Sequence, residues 1–356
     1  MLNIFGASPR APTLPEKLDA FLSRRFAPDE PGAAIVVIKN GETLLRAAYG
    51  MADLERGLAL EPGATFRLGS LTKQFTAVAI MVLAERGKLS VADDIREFLP
   101  SYPAQGKSIT IERLLTHTSG IRNYTDDENF RRLMAQDMSV EDMIDRFKTA
   151  PLQFEPGSKF AYSNSGYFLL GAIIERISGV SYAAFMADEI FEPLGLRCTA
   201  CDGFERVVAP KAVGYSRKRP AAATSMTQPF SAGALISNID DLARWDAAIS
   251  AGRLLSAESW KQVFTPVKLN NGRTTNYAYG WGAAPLRSRR IFEHGGGIPG
   301  FVTHAIRVPD EKLYVAVLAN DDGGEPGLFN LLRVLWSGRV PAMLASRMMM
   351  MASAQT

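Results

Sequence analysis

Cysteine is almost missing from this 356-residue chain, with Cys198 and Cys201 the whole supply. Two thiols cannot staple a protein of this length, so the fold has to rest on a buried apolar core. Their Cys-x-x-Cys spacing would suit a redox pair or half a zinc site. No second cysteine pair exists, however, and the three histidines, His117, His294 and His304, lie far off in sequence. No strand–helix pattern of the thioredoxin kind surrounds the pair, which reads as two incidental loop cysteines. No metal and no cofactor is expected. An excess of charge of one sign is lacking as well: 40 Lys and Arg face 37 Asp and Glu, a net charge of +3. That balance argues against nucleic acid or an anionic membrane as a partner. The short basic runs Arg217-Lys218-Arg219 and Arg287 with Arg289-Arg290 are expected to be solvated loops. No apolar run approaches the ~20 residues that a membrane span needs. Met1-Leu2-Asn3-Ile4-Phe5-Gly6 has too short an apolar core for a secretory signal, which leaves a cytoplasmic protein or one whose signal is already removed. The Gly-x-Ser-x-Gly elbow is absent too, which argues against an α/β-hydrolase.

What is present is an ordinary globular composition, 47% apolar and 22% charged, long enough for one large domain or two intimately joined ones. Thr13-Leu14-Pro15-Glu16 has capping-box spacing, and Leu14, Leu18, Phe21, Leu22 and Phe26 then mark one helical face. Asn40-Gly41 joins the apolar runs Ala33 to Ile38 and Thr43 to Tyr49, a strong hairpin signal. From Leu89 to about Trp260, helical and loop patterns dominate, with helices expected at 111–115, 140–147, 167–177, 182–190 and 242–250. Strand signals return at 290–294, 301–308 and 312–319, with Pro309-Asp310 turning the chain between the last two. A closing helix is expected over 328–336 and a loosely packed tail over 342–356. The pattern predicts an α+β fold: one antiparallel sheet flanked by N- and C-terminal helices, with a largely helical insertion and a substrate cleft between the two parts.

One stretch organises the rest. Apolar residues recur at Leu71, Phe75, Val78, Ala79, Val82 and Leu83, and Gly87 supplies a stop, which predicts a helix of about four turns. Ser70 sits at its first turn, just after Gly69, where the helix dipole favours a developing alkoxide. Lys73, three residues on, shares its face, and a partly desolvated lysine amine can accept a proton. Those are the needs of a nucleophile and its base. Ser-x-x-Lys is a short pattern that also arises by accident. Here it occurs once, on a helix too apolar for a protein surface.

Two further stretches keep it company. Tyr162-Ser163-Asn164 lies on the loop before the 167–177 helix. A phenol beside an ammonium can shuttle protons, and a carboxamide can hold both an amine and a substrate. Read alone, the tyrosine serves equally as a core residue and the asparagine as a helix N-cap. Glu293-His294-Gly295-Gly296-Gly297-Ile298-Pro299-Gly300 follows a predicted strand. Glycines there let another backbone or a substrate approach, and a bare strand edge can aim an N–H at an oxyanion. The same run equally suits a hairpin turn.

In order and spacing, Ser70-Leu71-Thr72-Lys73, Tyr162-Ser163-Asn164 and His294-Gly295-Gly296 resemble the serine β-lactamase and penicillin-binding-protein-like hydrolases, in particular the class C β-lactamase branch. Leu114-Leu115-Thr116-His117-Thr118-Ser119-Gly120, Ala232-Gly233-Ala234-Leu235-Ile236-Ser237 and Tyr279-Gly280-Trp281-Gly282 are further family-like phrases. The resemblance runs from about Leu14 to Trp336. It implies a single β-lactamase-like domain over 14–341, with an α/β part at about 14–69 and 265–341 and a helical part at about 70–264. It also implies that Ser70 is the acylated nucleophile and Lys73 its base partner. Tyr162 would pass a proton to the leaving group and later activate the deacylating water. Asn164, His294, Gly295 and Gly296 would bind substrate, and the backbone N–H groups of Ser70 and Gly297 would form the oxyanion hole.

One departure bears on substrate. The class C pattern has lysine where this chain has His294. Histidine is only partly charged near neutral pH, with an unperturbed pKa near 6.5. In this respect the chain is similar to soluble D-Ala-D-Ala carboxypeptidases, D-aminopeptidases and family VIII esterases. The expected activity is hydrolysis of short acyl esters or D-amino-acid peptides. A β-lactamase, or a penicillin-binding sensor that does not turn over, is the alternative. The expected partners are thus small esters, peptides or β-lactams, with specificity in loops near Asn123-Tyr124 and Met226 to Phe230.

Overall fold

The structure, a computed structural model, describes residues 10, 12–203, 209–285 and 289–323. The expected closing helix, the tail, the first six residues and Arg287 lie outside the described residues. The chain enters through helix α1 (Leu14–Arg25), whose capping box forms as its spacing requires. Thr13 N–H donates to the Glu16 carboxylate at 2.8 Å, and Glu16 N–H donates to Thr13 Oγ1 at 3.4 Å.

Strands β1 (Ala33–Lys39) and β2 (Glu42–Tyr49) follow as a hairpin, turned by Asn40 and Gly41 at φ 54° and 81°. Both central residues are left-handed, which is what a two-residue hairpin turn needs to match strand twist. Four late strands complete the sheet: β3 (Gly282–Ala283), β4 (Phe292–Ile298), β5 (Phe301–Val308) and β6 (Leu313–Ala319). Their order is β3-β4-β5-β6-β1-β2, antiparallel at every pairing. N- and C-terminal segments thereby share one sheet.

Period-two alternation explains its two faces. On one face, Ala33, Ile35, Val37, Val315 and Val317 pack with Leu18 and Leu22 of α1. On the other, Ala34, Val36, Ala316 and Leu318 join the main core. Each fully buried Leu, Ile or Val side chain contributes about 1.5–3 kcal/mol of transfer free energy.

Between β2 and β3 the chain supplies mostly helices, among them α2 (Thr72–Glu85), α3 (Ile111–Leu115), α4 (Asn164–Ser178) and α5 (Ile239–Ser250). Helix α2 is covered on every side, since all residues from Thr72 to Leu83 are buried. Its polar members must then find partners within the protein. Phe75 stacks on Trp245 of α5 with ring centroids 4.3 Å apart, and Trp245 Nε1–H donates to Gln74 Oε1 at 3.3 Å. Among the described residues no single helix is long and apolar enough to cross a membrane.

Two expectations need correction. The strand after the expected 290–294 does not stop at His294 but runs through the glycines to Ile298. Helix α4 begins at Asn164 rather than Tyr167, so the Tyr-x-Asn motif straddles its start. Within the basic runs, exposed Lys218 pairs with Glu30, half-buried Arg289 with Glu311 and exposed Arg290 with Asp310. Cys198 and Cys201 are free, and burial pushes both thiols above their ordinary value.

Candidate active site

Ser70 sits in a 3-10 turn, Gly69–Leu71, that leads directly into α2. The turn needs glycine at its first position for two reasons. Gly69 has φ 53°, and a β-carbon there would lie 2.9 Å from the Gly297 nitrogen of β4. Gly296 is under the same constraint: an added β-carbon would meet Leu68 O at 1.9 Å. Thr303 of β5 donates its hydroxyl to that Leu68 carbonyl at 2.7 Å, which ties the turn to the sheet. The glycines of β4 therefore serve close backbone approach rather than a hairpin turn. Beyond the pairs Gly282↔Glu293 and Ala283↔Phe292, the outer edge of β4 carries no further strand among the described residues.

Lys73, the second residue of α2 and three on from Ser70, is wholly buried. Its Nζ is 3.0 Å from Ser70 Oγ, 2.8 Å from Asn164 Oδ1 and 2.8 Å from the carbonyl of Ala232. Burial holds its pKa well below the ordinary lysine value, and no carboxylate among the described residues offsets that effect. A neutral amine has two N–H donors and one lone pair. Asn164 Oδ1 and Ala232 O can only accept, so they take both donors. In that neutral state the lone pair faces the Ser70 hydroxyl, which can donate to it, whereas an ammonium donates to Ser70 Oγ as well.

Tyr162 completes the cluster. Its ring centroid is 4.9 Å from Lys73 Nζ, 4.3 Å from the ring of His117 and 6.2 Å from that of His294. The Ser163 and Asn164 amides, at the start of α4, are both held from outside the helix. Ser163 N–H donates to His117 Nδ1 at 3.2 Å, and Asn164 N–H donates to Asn123 Oδ1 at 2.9 Å. These bonds stand in for the side-chain cap that Ser163 does not supply. Asn123 and Tyr124, expected near the specificity loops, are buried. They brace the site, and Tyr124 donates to Gln228 O at 3.0 Å to join the two loops.

His294 departs from its expected partial charge. It is 1% exposed, and its pKa is pushed down to about 3, chiefly by burial. Gly295 O, 2.5 Å from Nδ1, can only accept, so Nδ1 carries the proton. Nε2 then accepts from the Tyr277 hydroxyl at 2.8 Å. The imidazole is neutral, with both nitrogens engaged by protein.

The structure thus brings Ser70, Lys73, Asn164 and Tyr162 together and sets the His294–Gly297 strand against the Ser70 turn. Three contributors carried no assigned role in the sequence: the Ala232 carbonyl, Tyr277 and His117. Each lies in or beside a phrase that looked family-like, and that was the available signal.

Comparisons with known proteins agree on one family. The family model described as Beta-lactamase matches residues 18–336. Penicillin-binding protein 4* of Bacillus subtilis (strain 168) is 32% identical over 310 residues, covering 81% of this chain and 68% of that protein. The D-aminopeptidase of Gluconobacter oxydans (strain 621H) is 29% identical over 300 residues, covering 82% of this chain and 56% of the relative. The chain thus spans between about half and about two thirds of the length of these curated relatives. Among solved structures, the octameric penicillin-binding protein homologue from Pyrococcus abyssi superposes with a TM-score of 0.77 at 28% identity, covering 90% of this chain and 77% of that one.

Proposed function

The chain belongs to the beta-lactamase family, whose relatives include hydrolases, and from that premise we propose that it hydrolyses acyl substrates lacking a carboxylate through an acyl-enzyme on Ser70. The observation that carries this reading is the buried Lys73 nitrogen set beside Ser70 Oγ. Asn164 Oδ1 and Ala232 O hold the nitrogen 3.0 Å from Ser70 Oγ, and with both N–H groups of a neutral amine so engaged its lone pair faces that oxygen. As Oγ attacks the acyl carbon, Lys73 takes its proton. The substrate oxygen becomes an oxyanion, held by the N–H groups of Ser70 and Gly297, each such donor being worth ~2.7–4 kcal/mol in the transition state. Tyr162 gives its proton to the departing alkoxide or amine and regains one from the Lys73 ammonium beside it. In the second half Tyr162 passes its proton to the neutral Lys73 amine as it takes one from water, the water oxygen attacks the ester carbon, and Lys73 gives its newly gained proton to Ser70 Oγ as that oxygen leaves.

The substrate class follows from charge. A neutral, doubly bonded His294 offers no cation to a substrate carboxylate. Short acyl esters and D-amino-acid amides therefore suit the site better than cephalosporins, whose carboxylate would go unpaired. Gly295 and Gly296 present backbone to the substrate in this reading, and Asn164 orients both substrate and Lys73. The likeness to the Bacillus protein supports a second reading, a penicillin-binding protein that acylates and turns over slowly.

Steady-state rates on p-nitrophenyl butyrate, D-amino-acid amides and nitrocefin test the substrate class. The ester is expected to be turned over faster than nitrocefin, and the reverse order overturns it. Mass spectrometry after a fluorophosphonate should find one adduct, on Ser70. No adduct sinks the hydrolase, and a penicillin adduct lasting hours favours the second reading.

A further inference from the structure

We propose that His117 is a positioning residue for Tyr162, holding the phenol where it can protonate the leaving group; this rests on the acyl-enzyme reading above. His117 follows helix α3 at a place where the backbone calls for glycine. Thr118 N–H donates to Arg113 O at 2.9 Å and His117 N–H to Leu114 O at 3.3 Å, the two bonds of a Schellman helix end. The residue between them is left-handed, and His117 has φ 56°. Glycine adopts that conformation freely and a side chain does so against strain. A histidine kept there is kept for its side chain.

That side chain and its own carbonyl grip Tyr162 from both flanks. The His117 carbonyl accepts from Ala161 N–H at 2.9 Å, and Nδ1 accepts from Ser163 N–H at 3.2 Å. Between these two anchors the imidazole packs on the Tyr162 ring at a 4.3 Å centroid distance, tilted by 37°. Behind it stand Phe160, Tyr167 and Tyr277, with centroids 5.9, 5.1 and 4.6 Å from His117. Acceptance at Nδ1 places the ring proton on Nε2, which is buried with no hydrogen-bond partner. That arrangement is unfavourable for stability, so the ring is held by its contacts and not by a network of its own. Burial keeps the ring neutral, so Nδ1 stays an acceptor. His117 touches neither Ser70 nor the nitrogen of Lys73 in any hydrogen bond among the described residues. Its effect runs through Tyr162.

Two variants separate positioning from folding. His117→Gly relieves the strained cap while removing both the acceptor and the ring. His117→Asn tolerates the left-handed backbone and places Oδ1 where Nδ1 was. Acylation would be followed over a series of esters with leaving groups of rising basicity, beside fluorophosphonate labelling of Ser70. A basic leaving group needs the proton from Tyr162, whereas p-nitrophenolate and fluoride do not. The Gly variant should lose about 100-fold in the acylation rate constant on alkyl esters, as expected of a misplaced general acid, with substrate affinity little changed. Its labelling and the p-nitrophenyl ester burst, which report acylation alone, should stay near wild type, and the Asn variant should recover much of the loss. An equal loss on every substrate, with labelling gone, or no loss at all, overturns the proposal. Tyr162→Phe is the control that distinguishes the two readings. If it shows the leaving-group dependence and His117→Gly does not, only the His117 proposal falls. If Tyr162→Phe lacks the dependence, both fall.

Discussion

Replacing Lys73 by methionine tests whether the amine at the centre of the site rests without its proton. Methionine keeps the length and apolar bulk of the stem and removes the titrating group. In the unfolded chain a lysine has its ordinary pKa near 10.4, whereas burial holds the folded-state value well below that. Between those two values the unfolded state carries one more proton than the folded state. Stability of the wild type must therefore rise with pH across that window, and level off once the unfolded lysine also deprotonates. The slope inside that window is about 1.4 kcal/mol per pH unit. The methionine variant lacks this contribution. It leaves Asn164 Oδ1 and Ala232 O without their donor, an offset of about 1–3 kcal/mol for each group that is the same at every pH. Only the slope of the difference is diagnostic. Urea unfolding of both proteins by tryptophan fluorescence at several pH values gives it directly. A flat difference across that interval would mean that Lys73 keeps its proton when folded, and the proposed base would be lost with it.

Gly296→Ala should lower thermal stability and activity together. Its β-carbon would lie 1.9 Å from Leu68 O and 2.4 Å from Thr303 Oγ1, so the strand must back away from the Ser70 turn. The expected destabilisation is about 1–3 kcal/mol, read from a melting curve, and an unchanged melt would refute the close approach. His294, pushed down to about 3, should contribute no inflection to kcat/KM between about pH 5 and pH 8. A wild-type inflection near pH 6.5 that vanishes in His294→Gln would show the imidazole to be titrating after all.

Where the sequence could be read, a local rule and a tertiary need coincided. Asn40-Gly41 turned the hairpin because both positions have to be left-handed, and that demand is written in the residue types. The Thr13–Glu16 capping box needed nothing beyond four residues. Ser70 and Lys73 met because a spacing of three puts them on one face of any helix. Legibility failed where distant backbone decided. The strand through Gly295 to Gly297 looked like a strand end because glycine disfavours strands, and only the approach of Leu68 and Gly69 explains why glycine is required there. Helix α4 starts at Asn164 on the strength of His117 and Asn123, respectively 46 and 41 residues away in sequence, and not by a cap of its own.

The protonation state of Lys73 is the plainest case. Its spacing from Ser70 predicts a contact but not the direction in which the proton is shared. That direction depends on how many pure acceptors reach the nitrogen, and one of them is a backbone carbonyl, Ala232 O, 159 residues away. A carbonyl is supplied by every residue type, so no motif can announce it. With only Asn164 Oδ1 present, the amine would keep an N–H for Ser70 Oγ and donate to it, which suits a spectator lysine as well as a base. With both carbonyls in place, a neutral amine has only its lone pair left to offer. How a buried lysine in a Ser-x-x-Lys turn faces its serine is therefore a property of the helical segments that close over it, read at positions such as 232 rather than in the motif.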